Sequence, residues 1–106
     1  MNNYSITDPF ILATLQSFVG YEFFGHELTW MEVHEIIDKL EENPINVRIR
    51  KYGCDIIYTT SGKRIGQGTV TPECDKISAV VEALVLGITV YKKRIEPLVF
   101  EMKKVK

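Results

Sequence analysis

From Asp8 onward the apolar positions fall into blocks, and the period of each block marks an element. Ile11, Leu12, Leu15, Phe18 and Val19 recur at helical spacing. Asp8-Pro9 precedes them as a capping acceptor with proline at the first helical position, and Gly20 follows as a left-handed stop. The pattern predicts a helix over 9–19. Residues 21–28 are aromatic and fit either a short strand or a packed loop. Thr29-Trp30-Met31-Glu32 matches a capping box, in which Thr and Glu satisfy each other's backbone donors. Trp30, Val33, Ile36, Ile37 and Leu40 form the stripe of the helix that follows, Glu35 and Lys39 make an i,i+4 pair in the favoured order, and Asn43-Pro44 ends it.

The period then changes to two. Ile45–Arg50 alternates strictly, which predicts a half-buried strand with Ile45, Val47 and Ile49 inward. After a turn at Tyr52-Gly53, residues 54–59 are apolar on both faces and predict a central strand covered on two sides. A small polar turn at 60–63 leads to a third strand over 64–70, where Gly66 and Gly68 mark a bulge or a close backbone approach. Thr71-Pro72 repeats the cap-plus-proline start. The last helix carries Ile77, Val80, Val81, Leu84, Ile88 and Tyr91 on one face, widened by Ala79, Ala83, Val85 and Leu86. A helix this apolar is either sandwiched within the domain or part of an oligomer interface, for which Val81, Val85 and Ile88 are the candidate residues. Pro97 predicts a break, 98–102 a candidate edge strand, and 103–106 a frayed end.

These elements predict one α+β domain over 1–106, a small, mainly antiparallel three- to four-stranded sheet packed by helices in the order α-α-β-β-β-α. Its core spans 29–91. The N-terminal helix at 9–19 is placed over the opposite sheet face or a partner's sheet, and a basic tail runs over 95–106. The 45% apolar and 25% charged composition is that of an ordinary globular protein. The most apolar run, 79–86, is broken by Glu82 and is far too short for a bilayer span, so no membrane partner is expected. The first residues carry no basic or signal-type segment, and two cysteines make no disulfide framework, which together predict a cytoplasmic setting.

The net charge of −1 hides a split: residues 1–47 hold eight acids and one base (−7), residues 48–106 six acids and twelve bases (+6). Opposed fields on a small body favour oriented association with a partner or with a second copy. The basic half places Arg48, Arg50, Lys51, Lys63 and Arg64 on the hairpins, where such a ribbon contacts phosphates and Tyr52 and Tyr58 offer stacking surfaces. The acidic half places Glu35, Asp38 and Glu42 on one helix face.

Catalytic signals are sparse. The segment 61–68 (SGKRIGQG) resembles a phosphate loop only in composition, since Ile57 and Arg64 stand where a P-loop needs Gly and Ser or Thr, and a strand follows instead of a helix. His34 and Asp38, one turn apart, lack a third strong ligand nearby, so no metal or cofactor is expected. Cys74, in the first turn of the predicted helix, is the candidate for a dipole-activated thiol.

The αβββα order of 29–91 resembles that of the double-stranded-RNA-binding domain. Where that family carries a lysine run, this chain has Thr71-Pro72-Glu73-Cys74-Asp75-Lys76. Trp30, the Lys39-Leu40 helix end, the hairpin, and Thr71-Pro72 leading into Ile77, Ala79 and Glu82-Ala83-Leu84 are similar to small phage-encoded α-β-α sandwich domains over about 29–88. That resemblance implies a phage or prophage accessory protein acting stoichiometrically, as an inhibitor of a host component or by sequestering a small ligand. The leading expectation is therefore a non-enzymatic interaction protein, a homodimer. The alternative is a nucleic-acid or nucleotide-binding module using the basic hairpin, and the third is a small cysteine-dependent enzyme.

Overall fold

Each helix starts where a side chain can satisfy its first free backbone donors. In the computed structural model, which describes residues 4–23 and 26–98, α1 (Pro9–Val19) is capped by Asp8, whose carboxylate accepts from Phe10 N at 2.9 Å, and it ends at Gly20 in the left-handed region (φ 86°). The helix α2 (Trp30–Leu40) begins with the complete Thr29/Glu32 capping box. The third helix, α3 (Lys76–Val90), is capped by Asp75 and not by Thr71. Thr71 and Cys74 exchange backbone hydrogen bonds, and Thr71 Oγ1 accepts from Glu73 N, so Thr-Pro closes a local turn ahead of the helix. A π-helical turn, Tyr91–Ile95, continues α3, and the chain stays helical through Pro97 to Leu98, where the sequence pattern predicts a break. The rest of the candidate edge strand lies outside the described residues.

The strands β3 (Ile45–Arg50), β4 (Gly53–Tyr58) and β5 (Lys63–Thr69) form an antiparallel sheet in sequence order, with β4 central as its apolar run predicts. The register of β4 with β5 shifts between Ile56 and Ile57, the bulge signalled by the β5 glycines. A second, two-stranded ribbon pairs β1 (Tyr4–Ser5) with β2 (Glu27–Leu28). Thus the end of the ambiguous segment 21–28 is a strand, and its partner at Tyr4–Ser5 carries no readable period because two residues are too few to show one.

Three layers result. The sheet packs on one side of α3, and α1 and α2 pack against α3 from elsewhere. Nine of the fifteen residues of α3 are buried, which is why its apolar face is too wide for a single stripe. The N-terminal helix therefore covers α3 and not the opposite face of the sheet. That face of β4 is covered by side chains alone, since Asp55 is buried beneath arginines.

The contact of α3 with β5 is made backbone to backbone. A Cβ on Gly66 would sit 2.8 Å from Gly87 N and overlap the Ala83 carbonyl oxygen, and one on Gly68 would overlap the backbone of Ala79. A Cβ on Gly87 would meet only the Ile56 side chain, at 2.7 Å. Gly66→Ala and Gly68→Ala are expected to destabilise the protein by about 3 kcal/mol each, the upper end of overpacking costs. Gly87→Ala meets the root of the buried, β-branched Ile56 side chain, which cannot rotate clear, so it should also destabilise, but by about 1 kcal/mol less because alanine raises helix propensity. Urea denaturation of the three variants checks the order.

Candidate functional site

The two-residue turn Lys51-Tyr52 fixes the pairing of β3 with β4, and alternation does the rest. Arg50 stands opposite Gly53, Arg48 opposite Asp55, and Asn46 opposite Ile57. Across β4, Asp55 pairs with Gln67 and Ile57 with Arg64. Arg48, Arg50, Arg64, Gln67 and Thr69 are therefore on the sheet face turned away from α3, and all are exposed.

Asp55 organises this face. It is the one buried charged residue among the described residues, at 3% exposure. One carboxylate oxygen, Oδ2, is in ion-pair contact with Arg50 Nη2, and the other, Oδ1, lies 3.7 Å from Arg64 Nη1. The Arg50 contact lacks hydrogen-bond alignment, so Oδ2 has no hydrogen-bond donor among the described residues. A buried carboxylate is costly unless cations compensate it, and here the cations come from both flanking strands. The guanidinium groups are not consumed by this, since the Arg50 and Arg64 side chains remain 62% and 53% exposed. A shallow concavity of about 360 Å³ runs between them, lined also by Tyr52, Gln67 and Thr69. Lys51 lies at one end of the hairpins with its ammonium 5.3 Å from the Tyr52 ring centroid. Lys63, paired with Tyr58, lies at the other end and on the alternate register. Of the five basic residues singled out in the sequence, three share the face and two mark its ends.

The remaining sequence candidates separate. Val81, Val85 and Ile88 are buried against this chain's own elements, at 0%, 6% and 3% exposure, and present no surface to a second copy. The apolar residue that α3 does expose is Leu86. Glu35 accepts a hydrogen bond from the Tyr21 hydroxyl at 2.5 Å, which pushes that hydroxyl up to about 12, while Asp38 and Glu42 are exposed. Glu41, not singled out before, accepts from Val47 N at 2.9 Å and so caps a donor on the outer edge of β3. His34 lies beside Trp30, ring centroids 6.0 Å apart. Among the described residues no three His, Cys, Asp or Glu side chains converge to hold a metal. Cys74 precedes α3 by two residues, outside its first turn. Burial, with Glu82 and Asp75 nearby, raises its thiol pKa, the opposite of dipole activation.

Asp55 is the residue that sequence reasoning missed. Counting register outward from the Lys51-Tyr52 turn puts it directly opposite Arg48, so the signal was present in the hairpin itself. Comparison of the chain with family models, with curated proteins and with solved structures gives no match. No helix among the described residues is long and apolar enough to cross a membrane.

Cys54 sits beneath this face, and burial, with Asp55 adding to it, pushes its thiol from 9.0 up to about 11. The folded chain therefore holds that proton after the unfolded chain has released it. The stability linked to Cys54 is complete below pH 9 and falls as pH rises towards 11. Urea midpoints across this range should decline less steeply for Cys54→Ala than for the parent. Equal slopes would contradict the assignment.

Proposed function

We propose that the protein is a non-enzymatic binding module whose exposed sheet face engages the phosphate backbone of a nucleic acid. The observation that carries this reading is the placement of Arg48, Arg50 and Arg64 on one face, around a buried carboxylate that orients two of them. Guanidinium groups on the two strands that flank β4 suit phosphates, which fix register and orientation without reading sequence. Tyr52, 67% exposed at the rim, adds a surface on which an unpaired base stacks. The neutral thiols and the lack of converging metal ligands among the described residues give no support to the cysteine-enzyme alternative.

A second reading is favoured by the segregation of charge. Asp38 and Glu42 are exposed on or just beyond α2, whereas the arginines lie on the sheet face turned away from α3. Such a body suits oriented docking to a protein, as the phage accessory resemblance implies. In this reading a homodimer would form by acidic and basic faces meeting, not through α3.

Fluorescence anisotropy with a labelled DNA duplex separates the two. Three phosphate contacts predict a slope of about −2.7 in log K against log salt, a loss of about 40-fold between roughly 50 and 200 mM salt. Arg48→Ala should reduce the slope by about 0.9. Binding whose salt slope does not change in Arg48→Ala would overturn the nucleic-acid reading. Charge reversal at Asp38 or Glu42 should leave DNA binding intact and weaken only a protein partner.

A further inference from the structure

A larger concavity, about 650 Å³, opens where α1, the end of α2 and the end of α3 meet. It is lined by residues that no contact with the sheet face explains. Lys39 enters from α2, and Lys92 and Lys93 enter together from the π-helical turn. A π turn is rare in helices and recurs at functional sites, and here it brings two successive ammonium groups to one mouth. Against these three cations the lining offers one carboxylate, Glu42. Lys92 is held in place, 3.2 Å from Glu96 and 5.9 Å from the centroid of the Phe18 ring. Phe10, 53% exposed, and Phe18 line the groove two turns apart on α1, and Thr14 and Ser17 add hydroxyl donors.

Each feature asks for the same ligand. Glu96 already pairs with Lys92, so Lys39 and Lys93 are the cations that an anion seated in the groove would engage. Phe18, beside the Lys92 ammonium, and the exposed Phe10 give apolar lining that favours a flat body attached to the anion. The volume falls within the range of small-molecule sites, and the mixture of apolar walls with a few polar groups is what such sites present. We propose that this groove binds a small organic phosphate carrying an aromatic body, the chemistry of a nucleoside monophosphate. The site is separate from the arginine face and does not depend on its role.

Isothermal titration of the 106-residue chain with adenosine 5′-monophosphate tests this, with inorganic phosphate as the body-free control. Lys39→Glu and Lys93→Glu, both at exposed positions, should each weaken nucleotide binding about tenfold, and Phe10→Ala by a similar factor. Arg48→Ala and Arg50→Ala, which impair the sheet face, should leave it unchanged. Inorganic phosphate should bind at least about tenfold more weakly than the nucleotide. Absence of saturable binding by the nucleotide would overturn the proposal. So would binding that survives both lysine reversals, binding lost with the arginine variants instead, or equal affinity for inorganic phosphate. None of these outcomes bears on DNA binding by the sheet face.

Discussion

The fold depends on how closely α3 can approach β5. Gly66 and Gly68 offer no side chains on the strand, and Ala79, Ala83 and Gly87 offer little on the helix, so the two backbones pack against each other directly. Dispersion falls steeply with separation, and even a methyl-sized spacer here would forfeit contacts along the whole interface. The helix is then near enough for Ile56 to fill the notch at Gly87 and for Cys54 to be sealed beneath the sheet. The glycines weaken β5 as an isolated strand. They are retained by the geometry because a side chain at either position would strike helix backbone, which cannot rotate away.

The same contact decides where function can reside. With the sheet against it and α1 and α2 packed elsewhere around it, α3 has few residues left for a partner. Binding surfaces must then be on the outside of the layers, and there the chain is chemically divided: arginines spread over the free sheet face, carboxylates along α2, and lysines gathered where the helices end. The buried Asp55 is the clearest sign that the arginine face is built and not incidental. A carboxylate under two exposed guanidinium groups gains little stability once its desolvation is counted, but it does restrict where those groups can point.

Much of this was legible in the chain. The Thr29/Glu32 box, the Asp8-Pro9 start, the alternation of 45–50 and the glycines of β5 each have a local cause, and each is observed. Four things were not legible. Thr71-Pro72 looks like a helix start because its chemistry suits one, but a tight turn satisfied the same groups and Asp75 took the cap. The width of the apolar face on α3 is compatible with a partner chain or with this chain's own helices, and only the packing distinguishes them. The pattern puts the basic set on the hairpins, and only register divides it into three residues on the face and two at its ends. The lysine groove joins helices far apart in sequence, and no spacing rule reaches across that distance.

The α3 helix is enclosed by its own chain. Hydrogen exchange of the α3 backbone amides, measured at two protein concentrations, tests it most directly. The amides of residues 80–88 are expected to be among the slowest in the protein, exchanging only through global unfolding, with rates independent of concentration. Protection of α3 that weakens on dilution would show that a second copy covers it, and fast exchange would show that the contact with β5 does not hold. Either result would mean that α3 is not enclosed by its own chain.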